Sequence, residues 1–152
     1  MKTELELFRA TRTNTIALLK GLTLEQINKI PDGFTGNIAW HIGHMVSTHK
    51  GLVYQLNSVP GGLEKDFVVK YKKGSVPESP IDQAEFEFIT TELLNQVDEL
   101  EADLDKDGFF GVNIPYSTSY NFDLNSFEEG LKFSNLHQAL HLGYILAMKR
   151  SL

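Results

Sequence analysis

The sequence predicts an all-α protein, a four-helix bundle with long loops before the third and fourth main helices. Three observations carry that prediction. Apolar residues return at helical spacing in four long segments. Stretches bearing Gly and Pro separate those segments. The 152 residues, 41% of them hydrophobic, suffice for one core and are few for two, so residues 1–152 are expected to form a single domain.

The first helix is expected from about Thr3 to Lys20, where Leu5, Phe8, Ile16 and Leu19 share a face and Gly21 follows as a stop signal. Leu22 to Asn28 then reads as a short helical turn, with Thr23 and Gln26 forming a capping box. Pro31-Asp32-Gly33 marks a turn. The second long helix should start at Asn37, a good N-cap, and run to about Asn57 on the stripe Ile38, Ile42, Met45, Leu52 and Leu56. Pro60-Gly61-Gly62 ends it. Residues 61–79 read as a loop, with 66–70 as a short extended piece.

The third helix is expected from Pro80, placed in its first turn, to Leu104, with Phe86, Ile89, Leu93, Val97, Leu100 and Leu104 on one face. The aromatic, Gly-containing stretch 108–124 lacks helical periodicity and reads as a long loop with an irregular strand-like piece. Loops of that length often cover functional sites. The fourth helix should start near Asn125 or Ser126, capped with Glu128 or Glu129, and reach the end of the chain.

Composition removes several function classes. The net charge is −6, and the one basic run, Lys70-Tyr71-Lys72-Lys73, is short, so no nucleic acid is expected as a partner. There is no cysteine, which excludes disulfides, thiolate metal sites and a protein thiol nucleophile. Charges interrupt every apolar run of the opening MKTELELFRATR, which is unlike a signal peptide. No stretch approaches the roughly 18–20 apolar residues that cross a bilayer, so no membrane partner is expected and the cytoplasm is the expected location.

The five histidines fall into two clusters: His41, His44 and His49 on the second helix, His137 and His141 on the fourth. Residues four apart on a helix stack one turn above each other, so His137 and His141 present two imidazoles to one point. Gly130, Phe133, Tyr144 and Met148 lie within about 40° of them on a helical wheel, so the pair, and Tyr144 with it, is expected to face inward. Stacked buried histidines need partners, and a divalent metal is one. Facing helices of a bundle commonly share such a site. The wheel alone does not choose the third ligand. It puts His49 near the centre of the apolar stripe, His41 at its edge, and His44 further round beside Thr48, Gly51 and Gln55.

Asn37-Ile-Ala-Trp40-His-Ile-Gly-His44 resembles the N-x-x-W-x-x-x-H pattern of the DinB-like superfamily of small metal-binding four-helix bundles. The segment from Phe127 through His137-Gln-Ala-Leu-His141-Leu-Gly143 resembles that family's closing helix. With the helix order, the resemblance covers essentially the whole chain. It implies an up-down-down-up bundle in which His44, His137 and His141 bind a divalent metal: zinc or nickel first, iron or manganese after them. His41 is then expected to be partly exposed, and His49 buried or behind a ligand. The chain departs from the pattern at Gln138, where relatives often carry an acidic residue.

Three protein ligands leave a coordination position open for water, a thiol or a substrate oxygen. Some DinB-like proteins resemble thiol-dependent transferases and isomerases. The resemblance therefore implies a metal-dependent transferase using an external low-molecular-weight thiol, or a metal-dependent hydrolase. A second reading is a non-catalytic, stress-related protein that binds metal, a small ligand or a partner. A homodimer is expected on either reading. No general acid or base stands out. Tyr144 shares the ligand face, and Tyr116, Ser117, Thr118 and Tyr120 lie on the long loop, where they line a pocket mouth or plain surface.

Overall fold

A computed structural model describes residues 1–111 and 113–152. Four long helices build the bundle: α1 (Lys2–Leu19), α3 (Ile38–His49), α5 (Gln83–Leu104) and α6 (Phe127–Arg150). The short helices α2 (Leu24–Asn28) and α4 (Lys65–Lys70) and a two-stranded hairpin, β1 (Tyr116–Ser117) with β2 (Asp123–Leu124), fill the connections. Helix α1 packs against α5 and α6, and α3 packs against the same two. The groove between α3 and α6 is therefore formed by bundle neighbours.

Capping explains most helix starts. Thr23 and Gln26 close the expected capping box on α2. Asn37 caps α3 by accepting from Trp40 N at 2.8 Å. Ser126 caps α6 by accepting from Glu129 N at 3.2 Å. Two expected elements differ. Pro80 lies outside α5, because Asp82 accepts from Glu85 N and sets the start at Gln83. Residues 66–70 are helical, not extended, with Glu64 at the N-cap of α4. Five apolar or charged residues in a row hid that single turn from a periodicity reading.

The second long helix does run to Asn57, but not as one regular helix. After His49 it widens into a π-helical turn (Lys50–Tyr54) and then tightens into a 3-10 turn (Gln55–Asn57). Lys50 N–H bonds Ser47 O, and Gln96 Nε2 takes the Val46 carbonyl at 3.3 Å. Gly130 on α6 admits this bulge, since a Cβ there would sit 2.8 Å from Leu52 O.

Two apolar clusters make the core. One gathers Leu19, Ile38, Ile42, Met45, Ile89, Leu93, Ile145 and Met148. The other gathers Phe8, Leu52, Val53, Val97, Leu100, Leu124 and Leu131. A buried polar group made of Arg12, His49, Gln96, Ser134 and Gln138 ties the four long helices together. No helix among the described residues is long and apolar enough to cross a membrane.

Candidate metal centre

Helix α3 carries His44, and α6 carries His137 and His141 one turn apart. Packing of α3 on α6 brings these three together, with one ring nitrogen from each within 4.8 Å of the other two. The ring centroids are 5.1 Å apart for His44 and His137, 4.9 Å for His44 and His141, and 4.4 Å for His137 and His141. These are the three residues that the family resemblance selects. The helical wheel misplaces His44 because the cluster lies in the α3–α6 groove and not on the bundle axis.

Each ring is oriented by what its other nitrogen touches. His44 Nδ1–H donates to Tyr71 O at 2.6 Å, which leaves Nε2 as the bare nitrogen. Thr48 Oγ1 lies 3.2 Å from that Nε2. Trp40 stacks flat on the His44 ring at 4.6 Å and 11°, and its indole N–H donates to Ser75 Oγ at 2.9 Å. His141 Nδ1 meets His41 Nδ1 at 2.7 Å, and His141 Nε2 lies 3.1 Å from His137 Nε2. If His141 donates its Nδ1 proton to His41, its Nε2 is bare toward His137.

Tyr71 reaches this position because Gly43 leaves room for it. A Cβ on Gly43 would clash with the Cδ1, Cε1 and Cζ atoms of the Tyr71 ring. The Tyr71 hydroxyl donates to Glu85 Oε1 at 2.7 Å, tying the same residue to α5. Sequence reasoning missed Tyr71, whose contribution is a backbone carbonyl with no side-chain signature. Gly43, one residue before His44, was the available signal.

Burial sets the charge state. It pushes His137 down to about 4, with His44 and His41 adding to the effect. It pushes His141 down to about 2 and lowers His44 despite the Tyr71 hydrogen bond. The three rings are therefore neutral near pH 7, the form in which imidazole binds metals. The spacing fits as well. Two nitrogens each about 2.0–2.1 Å from a tetrahedral ion stand roughly 3.3 Å apart, close to the 3.1 Å found between the His137 and His141 nitrogens. An all-imidazole donor set suits a borderline transition metal and not magnesium or calcium.

The remaining candidates divide. His41 is buried, not partly exposed, and sits between His141 and Tyr144, stacked on the latter at 5.2 Å. Burial with His44 nearby pushes it down to about 4. Tyr144 is 45% exposed and lies at the rim of the groove instead of inside the bundle. His49 is fully buried away from the cluster, stacked on Phe8 at 4.4 Å with Nδ1 3.4 Å from Ser134 Oγ. Gln138, the departure from the family pattern, is buried and accepts from Arg12 Nε.

On the long loop, Tyr116 and Ser117 form an exposed strand, while Thr118 is buried and bonded to Phe122 O. Of these four residues, Tyr120 comes nearest the centre. It packs edge-on against Phe133, whose ring lies 6.2 Å from His137.

A cavity of about 390 Å³ adjoins the cluster and is lined in part by Trp40, His41, His141 and Tyr144. A second of about 390 Å³ lies across the strap of residues 75–77 and shares Trp40 with it. No curated protein matches the chain. The family model described as the DinB superfamily matches residues 7–145, and the chain belongs to that superfamily.

Proposed function

We propose that His44, His137 and His141 bind one divalent transition metal and that the protein is a metal-dependent enzyme of the thiol-transfer or hydrolytic type. The observation that carries this reading is the convergence of three bare or bare-able imidazole nitrogens from two helices within 4.8 Å. A bound metal would supply a Lewis acid with an open position, able to activate an external thiol or water. The chain has no cysteine, so a thiol would have to come from outside. Zinc or nickel suits the donor set, with iron or manganese as further candidates.

The chain's own residues orient the ligands. The Tyr71 carbonyl fixes the His44 tautomer, and with a metal at His141 Nε2 the His141 Nδ1–H would donate to His41 Nδ1. Trp40 covers one face of His44 and restricts water there. The alternative is a non-catalytic metal- or small-ligand-binding protein. The cavity beside His141 favours the enzyme, because a structural metal has no need of space next to it.

The test is metal analysis of untagged protein beside the His137→Ala variant, followed by a screen of low-molecular-weight thiols with electrophilic substrates. Near-stoichiometric metal in the parent and its loss in the variant support the site. Turnover that needs both metal and thiol selects the transferase, and turnover with water alone selects the hydrolase. Absence of metal from both proteins, even after incubation with excess divalent ions, overturns the reading.

A further inference from the structure

The cavity beside the histidines is lined without a charged side chain. Phe34, Trp40, Val76, Tyr144 and Met148 supply an apolar and aromatic lining, and no carboxylate, ammonium or guanidinium group lines it among the described residues. The cavity across the strap differs, because Asp66, Lys70 and Glu78 line it. A charged molecule entering the first cavity would lose hydration and meet no side chain of opposite charge.

The polar side chains of that cavity are neutral: the hydroxyls of Thr35, Ser75 and Tyr144 and the rings of His41 and His141. His41 Nδ1 is engaged with His141 Nδ1 at 2.7 Å. For His141 to offer a bare Nε2 to a metal, its Nδ1 must carry the proton and His41 Nδ1 must accept it. The proton of His41 then sits on Nε2, which has no protein partner among the described residues. That atom lies on the side of Gly36, where an added Cβ would come within 3.9 Å of it, and both residues line the cavity. His41 thus presents an N–H donor, buried beside the histidine cluster, to a pocket without charged side chains.

We infer that this cavity takes the uncharged, largely apolar body of a small-molecule substrate, held by one hydrogen bond from His41 Nε2–H to an acceptor atom. The volume of about 390 Å³ falls in the ordinary range for small-molecule pockets. The inference rests on the metal reading, which fixes the His41 tautomer, and it deepens that reading by naming the substrate class. It excludes small dicarboxylates and cationic amines as occupants of this cavity.

Two resonances report on occupancy. Trp40 is the sole tryptophan, so its indole N–H gives one signal. Met148 is one of three methionines and lines this cavity but not the one across the strap. Acetophenone, ethylbenzene, benzylammonium and benzoate are titrated into full-length protein, before and after chelator treatment, with metal content measured on the same samples.

Acetophenone is expected to shift both signals saturably in either sample. In metal-loaded protein, where the His41 tautomer is fixed, ethylbenzene, which lacks the acceptor, should bind about three- to tenfold more weakly. In chelator-treated protein both ions should bind at least about tenfold more weakly than acetophenone. Thr35 is exposed and lines only this cavity, so Thr35→Asp should leave folding intact and raise the affinity for benzylammonium. Overturning results would be a failure of acetophenone to move the Met148 signal, or binding of either ion to chelator-treated protein as tight as that of acetophenone. Such a failure beside stoichiometric metal would sink this inference alone, while absence of metal would sink the metal reading.

Discussion

Two buried polar clusters, each containing histidine, lie within a few turns of each other in this bundle, and they differ in kind. The central one joins Arg12, His49, Gln96, Ser134 and Gln138 between the two apolar clusters. Most of its hydrogen bonds run between helices, and two hold the bulged α3 through the Met45 and Val46 carbonyls. The groove cluster aims ring nitrogens at one another beside a cavity. Burial alone does not separate them, since His49 is more deeply buried than His44 or His141.

Charge and partners do separate them. His49 has the cations Arg12 and Lys50 close enough to add to the downward push of burial on its charged form. The same two cations would repel a metal ion. Among the described residues, the groove histidines have one another, a backbone carbonyl and a threonine hydroxyl as polar neighbours at their ring nitrogens. A buried histidine thus becomes a candidate ligand where its neighbours are neutral and its free nitrogen converges with others.

The largest expected effect breaks the central cluster. Arg12→Ala strands the acceptors on Gln138, Gln96 and Met45 and opens a cavity against Phe8. It should cost roughly 3 kcal/mol or more in urea unfolding. The folded fraction should still bind metal. If Arg12→Ala is as stable as the parent, the central cluster is not what ties the helices.

Gly43→Ala comes next and acts on the groove. Its Cβ drives against the Tyr71 ring and displaces the carbonyl that orients His44. A stability loss of about 1–3 kcal/mol is expected from overpacking. Metal affinity should fall by about 10- to 100-fold, as for a lost orienting partner. Competition with a chromophoric chelator measures this. Unchanged affinity would mean that the Tyr71 carbonyl does not set the ligand geometry.

Acid should act on the metal-free protein. The native fold keeps His41 and His137 neutral down to about 4, against an ordinary value of 6.5. Between those values the unfolded chain binds more protons than the native one, so stability rises with pH. Stability is full above about pH 6.5 and drains away as pH falls toward 4. Denaturation midpoints across that window check the sign. His137→Ala should flatten the slope, and an unchanged slope would place the titration elsewhere.

Much of this was legible from residues alone. Four amphipathic segments, their capping residues and the two histidine clusters all declared themselves through spacing. The choice of His44 came from the motif, because a helical wheel assumes that a bundle's site lies on the most apolar stripe. The groove breaks that assumption: α3 meets α6 off-axis, which buries His44 and leaves Tyr144 at the rim. The π-helical turn and the α4 turn were hidden for other reasons. The π-helical turn depends on a tertiary partner, Gln96 on the Val46 carbonyl, and the run of apolar and charged residues in α4 carries no helical period.

The most direct test of the central claim is a cobalt(II) titration of the parent, His137→Ala and His49→Ala, followed by the visible absorption of the bound ion. A saturable spectrum is expected at one equivalent in the parent and in His49→Ala, and none in His137→Ala. Binding retained in His137→Ala, or lost only in His49→Ala, would contradict that claim.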